Sequence, residues 1–164
     1  LERRIADYTH IPVERGEGIQ VLNYDIGQQY REHYDFFFHD AADDNGGNRL
    51  ATALLYMNTP EEGGETVFPM SKHKAPGYVP GSMSECGSNG LGIKPEKGDM
   101  LVFWSIGSNG ELDMYSKHSG CPVIRGEKWT ATKWMHVGHF ADYGFGSEKV
   151  LTTKYTPPPP PPPH

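Results

Sequence analysis

The chain has 164 residues, a net charge of −6 and a pI of about 5.7, with 36% hydrophobic and 12% aromatic residues. That length suits one domain with a real core, not two full-sized ones, and the aromatic content argues against disorder. The acidic balance excludes a dedicated nucleic-acid phosphate binder. No apolar run approaches the roughly 18 residues of a membrane span, and the charged start at residues 1–4 lacks the apolar stretch of a secretory leader.

Residues 1–12 read as the tail of a helix stopped by Pro12, so the chain reads as beginning within a domain. Residues 19–25 alternate loosely and predict a strand, as does the short aromatic run at 33–38. Residues 40–48 are a polar, Gly-rich loop. The apolar run at 50–57 is a helix or a buried strand by periodicity, and its neighbours favour a strand. After a turn at 61–65 come Thr66, Val67 and Phe68. Residues 71–90 form a long polar loop of the kind compact domains reserve for function. A buried strand is expected at 100–104, a loop at 105–117 and a final strand at 129–137. Several short strands with turn signals between them predict a mainly β (α+β) barrel or sandwich with a flanking helix. Cys86 and Cys121 are either one bridge or two free thiols. Seven prolines at 157–163 cannot pack in a core and predict a polyproline II rod, either a stiff linker or a ligand-like segment.

The chemistry-bearing pattern starts at His33 and Asp35. On a strand, residues i and i+2 share a face, so an imidazole and a carboxylate project together. With a distant second histidine, His118, they make the two-histidine, one-carboxylate set that suits non-haem Fe(II) with open coordination positions. The bland alternative is a hydrogen-bonded pair on a solvated strand. Lys128, ten residues after His118, is either a surface lysine or a cation for the carboxylate of a small co-substrate. Alternation puts Lys128, Thr130, Thr132, Trp134 and His136 on one face.

In this order His33-x-Asp35, residues 49–57 (RLATALLYM), 63–69 (GGETVFP), 97–104 (KGDMLVFW), 118–123 (HSGCPV) and Lys128 to Trp134 resemble the catalytic domain of plant and algal prolyl 4-hydroxylases, members of the 2-oxoglutarate/Fe(II)-dependent dioxygenases. The resemblance runs from about residue 5 to about residue 140. It implies a double-stranded β-helix (jelly-roll) core over residues 1–145, with its N-terminal part incomplete, followed by a tail at 146–164. It implies Fe(II) on His33, Asp35 and His118, and 2-oxoglutarate with its far carboxylate on Lys128, beside Tyr24, Thr66 and Trp134. It also implies ascorbate, and a peptidyl-proline substrate in an extended proline-rich protein, with release of succinate and CO2. Tyr30, Arg49, Trp134 and His136 are the substrate-groove candidates, although Arg49 is equally a salt-bridge residue and His136 equally a core histidine. The family often carries a cysteine three residues after the second histidine, where Cys121 stands, and Cys86 is its candidate disulfide partner. The family's lumenal setting implies the endoplasmic reticulum or Golgi. The proline tail resembles plant cell-wall segments and is expected either to dock on a neighbouring molecule or to serve as a tether. Two alternatives stand beside the hydroxylase: the same oxygenase chemistry on another substrate, and an inert polyproline-binding module.

Overall fold

The computed structural model describes residues 1–38, 45–141 and the backbone of 151–154. Helix α1 spans Glu2–Thr9. Eleven strands follow: β1 Gln20–Tyr24, β2 Tyr30–His33, β3 Arg49–Tyr56, β4 Glu62–Gly63, β5 Thr66–Phe68, β6 Leu91–Ile93, β7 Met100–Trp104, β8 His118–Gly120, β9 Val123–Arg125, β10 Lys128–His136 and β11 Leu151–Lys154. They form a five-stranded sheet ordered β11-β1-β10-β3-β7, a four-stranded sheet ordered β2-β8-β5-β6, and the β4-β9 pair. Among the described strands every pairing is antiparallel except β1 with β11. Two largely antiparallel sheets facing across one cavity make the jelly-roll expected from the sequence.

The two faces of the five-stranded sheet explain the apolar run at 50–57. Ala51 and Ala53 point to the outer face, where Ile5 and Ile11 cover them together with Met135 of β10. Thr52 and Leu54 point inward, into the cavity. A strand buried on both sides loses the apolar-polar alternation, so this run is a strand although its periodicity is mute. Lys133, on the outer face of β10, is buried and pairs with Glu2 of the helix, pinning α1 to the sheet.

Three expectations are corrected. Helix α1 ends before Pro12: His10 is left-handed (φ 59°) and its amide donates to the Ala6 carbonyl, closing the helix one turn early. The aromatic run at 33–38 is not a strand. Pairing with β8 stops at His33 opposite His118, and the Asn48 side chain bonds both the amide and the carbonyl of Phe37, at 2.9 Å each, outside any ladder. Strand β7 is not fully buried, because it is the edge of its sheet and leaves Trp104 46% exposed. Strand β11 lies within the stretch read as a tail, and the polyproline run at 157–163 lies outside the described residues.

Residues 71–90 carry no helix or strand, but they are tied down. Cys86 is bridged to Cys121, with Cα atoms 5.8 Å apart. Two residues away, the Ser84 amide and hydroxyl both donate to the Glu65 carboxylate, at 2.8 and 2.7 Å. The Lys74 ammonium donates to the carbonyls of Ser88 and Gly90.

Candidate metal and co-substrate site

Ligand atoms of His33, Asp35 and His118 lie within 4.8 Å of one another. His33 closes β2 and His118 opens β8, directly across the ladder from it. Asp35 arrives from the turn that follows β2, not from the strand face. Its Oδ1 lies 3.4 Å from His33 Nε2, and its Oδ2 lies 3.8 Å from His118 Nε2. Each imidazole is oriented by the backbone two residues before it: Nδ1 of His33 meets the Arg31 carbonyl at 2.7 Å, and Nδ1 of His118 meets the Ser116 carbonyl at 2.9 Å. A carbonyl only accepts, so in each ring Nδ1 carries the proton. In the neutral ring Nε2 then offers its lone pair toward Asp35, the tautomer a metal ligand needs.

Electrostatics favour the same state. Burial alone raises the carboxyl of Asp35, but the His33 hydrogen bond, the His118 charge and the Thr52 hydroxyl at 2.5 Å outweigh it and hold the group down at about 2. Burial pushes His118 below its ordinary value, against the attraction of Asp35. An ionised carboxylate between two imidazoles whose Nε2 atoms face it fits a divalent ion without a proton to displace from the carboxylate. Two imidazoles and one carboxylate, with room beside them, also match the donor preference of non-haem Fe(II).

Lys128 lies on the same cavity, 3% exposed, at the first residue of β10. Its Nζ sits 5.5 Å from the Tyr24 ring centroid and 5.8 Å from that of Tyr56. Burial lowers its ammonium to about 8, although Glu65 opposes the shift. Among the described residues no carboxylate comes within ion-pair distance of it. A buried cation with no carboxylate in ion-pair contact suits an anionic ligand. Tyr24, Thr66, Thr130, Thr132 and Trp134 line the same cavity, as do the apolar Leu22, Leu54 and Phe103.

Of the five residues that alternation puts on one face of β10, four line the cavity and His136 does not. The ladder shifts register between Met135 and His136. The His136 ring is buried, with Nδ1 against the Gly47 carbonyl at 2.6 Å and Nε2 against Glu17 at 2.9 Å. Arg49 also pairs with Glu17, at 2.6 and 3.1 Å, while its guanidinium stacks 4.1 Å over the Trp134 ring and donates to the Asp35 carbonyl at 3.3 Å. The salt-bridge alternative for Arg49 and the core alternative for His136 therefore both describe real contacts. Burial raises the Glu17 carboxyl, but bonds and charges from His136 and Arg49 bring it below its usual range. Tyr30, 36% exposed, lines the cavity and stacks on His33 at 4.1 Å.

Sequence reasoning misses three residues. Thr52 had a signal, a polar residue in an apolar strand, two positions from Leu54 and four from Tyr56. The Tyr56 hydroxyl donates to Thr66 Oγ1 at 2.8 Å, and burial pushes its pKa up, holding the phenol protonated. Glu17 had no local signal, because its partners are 32 and 119 residues away.

Comparison with known proteins agrees with this geometry. A profile of the 2OG-Fe(II) oxygenase superfamily matches residues 19–136. Two proteins of Arabidopsis thaliana, probable prolyl 4-hydroxylase 3 and prolyl 4-hydroxylase 5, are 54% identical over 143 residues and 48% identical over 142, each match covering 85% of this chain. The chain spans about half of their length, 49% and 48%. A crystal structure of a viral collagen prolyl hydroxylase from Paramecium Bursaria Chlorella virus-1, in its 2OG complex, superposes with a TM-score of 0.58 at 32% identity, covering 80% of this chain and 66% of that one. With its profile matched over most of its length and its histidine–aspartate–histidine cluster intact, this chain belongs to the 2OG-Fe(II) oxygenase superfamily.

Proposed function

We propose that the chain is the catalytic core of a peptidyl-proline 4-hydroxylase acting on proline-rich, polyproline II-like protein. The observation that carries the reading is the coincidence in one cavity of a metal-ligand set and a buried lysine with no carboxylate in ion-pair contact. The names of the relatives support proline as the target. An inert polyproline binder needs neither feature, and burying an ammonium without return is costly.

His33, Asp35 and His118 would hold Fe(II), and Lys128 the far carboxylate of 2-oxoglutarate, with Tyr24, Thr66 and Trp134 beside it. Bound there, ion and oxo-acid supply the oxidising chemistry that hydroxylates proline, consuming O2 and yielding succinate and CO2. The chain's own residues bind, orient and exclude. Nδ1 bonds to backbone carbonyls fix both imidazoles, and the Thr52 hydroxyl fixes one oxygen of Asp35. Leu22, Leu54 and Phe103 keep the inner cavity apolar, so a charge pair made there is weakly screened. Tyr30, Trp134 and the Arg49 stacked on it form the groove for the extended peptide, aromatic faces being suited to proline rings. His136 enters the groove through Glu17, which it shares with Arg49. Ascorbate as reductant, an endoplasmic reticulum or Golgi setting, and docking of the 157–163 prolines on a neighbouring molecule complete the proposal. The Cys86–Cys121 bridge supports an oxidising compartment.

The test is incubation with Fe(II), 2-oxoglutarate, O2 and a polyproline peptide, reading succinate and the mass of one added oxygen per modified proline. Peptide-dependent succinate and hydroxyproline are expected, both lost in His33→Ala. Peptide binding without either product overturns the hydroxylase reading in favour of the binding module. Turnover on a non-proline substrate alone moves it to another oxygenase.

A further inference from the structure

The sequence contains three Asn-Gly steps: Asn45-Gly46, Asn89-Gly90 and Asn109-Gly110. Asparagine is thermolabile, and a following glycine has no Cβ to shield its amide nitrogen, so at such a step the backbone readily attacks the carboxamide. The fold treats the three steps differently. Asn45 commits its carboxamide to Ala141: Nδ2 donates to the Ala141 carbonyl at 2.8 Å, and Oδ1 accepts from the Ala141 amide at 2.7 Å. Asn109 is held on Glu111, with Nδ2 on the carboxylate at 2.7 Å and Oδ1 on the amide at 3.1 Å. The Gly110 nitrogen, which would have to attack, already donates to the Gly107 carbonyl at 2.9 Å. Asn89 is exposed, and among the described residues its carboxamide has no hydrogen bond. On either side of it the Lys74 ammonium donates to the carbonyls of Ser88 at 2.7 Å and Gly90 at 3.0 Å. A positive charge therefore stands beside the backbone that carries the attacking nitrogen, where it favours loss of the amide proton and the carboxylate that results.

We propose that Asn89 is a site of spontaneous deamidation, the Asn-Gly step at which the folded chain is modified first. The Gly90 nitrogen bonds to Asn89 Cγ, the Cγ–Nδ2 bond breaks, and the proton lost by Gly90 leaves with Nδ2 as ammonia. Water then opens the cyclic imide at either carbonyl, giving aspartate or isoaspartate. Nothing is oxidised or reduced, and neither a metal nor an oxo-acid takes part. The position of Asn89 gives the change a structural consequence. It lies between Cys86, bridged to Cys121, and the start of β6, which pairs with β5. Gly90 packs so closely on the end of β5 that a Cβ there would meet the Phe68 carbonyl at 2.4 Å. Isoaspartate inserts one extra backbone carbon at this tight corner, whereas aspartate adds only charge. The first product therefore strains the β5-β6 pair and the second does not.

The experiment incubates the full chain at neutral pH and physiological temperature, folded and in parallel in urea. Peptide mapping follows each Asn-Gly step through the mass gained when an amide becomes an acid, and fragmentation separates the two isomers. In the folded chain Asn89 is expected to react about fivefold faster than Asn45 or Asn109, the factor for opening one hydrogen bond. In urea that advantage is expected to disappear. The parent's melting temperature is expected to fall by about 3 °C as isoaspartate accumulates, while that of Asn89→Gln stays constant over the same incubation. Asn89→Asp, which carries the charge without the extra carbon, is expected to melt like the fresh parent. Equal rates at the three steps in the folded chain overturn the proposal, and so does the same ranking with and without urea. An unchanged melting temperature in a parent rich in isoaspartate at position 89 overturns the consequence drawn for the β5-β6 corner.

Discussion

Lys128 concentrates the residue-scale physics. Its ammonium, lowered to about 8 by burial against the pull of Glu65, lies 5.5 Å from the Tyr24 ring centroid and 5.8 Å from that of Tyr56. A folded value below the unfolded one means that folding favours the neutral amine. The penalty is complete below about pH 8 and vanishes above the unfolded value near 10.5. It amounts to about 3 kcal/mol. Two results follow, of opposite sign. Lys128→Met should raise the ligand-free melting temperature at pH 7 while abolishing 2-oxoglutarate binding, and a lowered melting temperature contradicts the account. In the parent, Kd for 2-oxoglutarate should be flat below about pH 8 and weaken toward tenfold per unit above it. Calorimetry from pH 7 to 9.5 checks this, and a flat profile throughout contradicts it. At Tyr56 the hydroxyl bond to Thr66 is the issue. Tyr56→Phe should cost about 1 kcal/mol in denaturant unfolding, the net worth of one buried hydrogen bond.

At the scale of elements, the long loop at 71–90 is held where it meets β5 and β8. The Cys86–Cys121 bridge spans 35 residues and sits three positions beyond His118. Replacing both cysteines with serine should cost about 3 kcal/mol, chiefly by freeing the unfolded chain, and should lower the melting temperature measurably. An unchanged melting temperature would mean that Glu65 and Ser84 anchor the loop without the bridge. Gly63 closes β4 with φ +79°, and a Cβ there would lie 2.4 Å from the Pro122 carbonyl. Gly63→Ala should therefore destabilise the β4-β9 pair by more than 1 kcal/mol in the same assay. These elements also show what the amino-acid order reveals. β3 and β10 are legible because their long apolar or alternating runs are doubly paired in the centre of a sheet. The aromatic run at 33–38 misleads, because the strand ends opposite the first residue of its partner β8, and a partner 85 residues away leaves no local mark. His33, Asp35 and His118 are legible as donor types, but their convergence is not. Asp35 reaches the cluster from a turn, a route that strand parity does not describe. Nor does any local pattern join Glu17 to Arg49 and His136.

At the scale of the whole molecule, the two sheets are separate walls that contribute different groups. The four-stranded sheet carries His33, His118 and Thr66. The five-stranded sheet carries Lys128, Thr52 and Trp134. A metal or oxo-acid bound between them contacts both walls and binds only the folded chain, so it stabilises by mass action. Fe(II) or a redox-inert divalent ion should raise the melting temperature, and chelation should return it to the ligand-free value. The claim on which everything else depends is that His33, Asp35 and His118 converge on one ion. Anaerobic titration with Fe(II), followed by 2-oxoglutarate, tests it most directly through the visible charge-transfer absorption of an oxo-acid chelated to ferrous ion. Saturation at one Fe(II) per chain and appearance of the band are expected, with both lost in His118→Ala. An undiminished band and stoichiometry in that variant would contradict it.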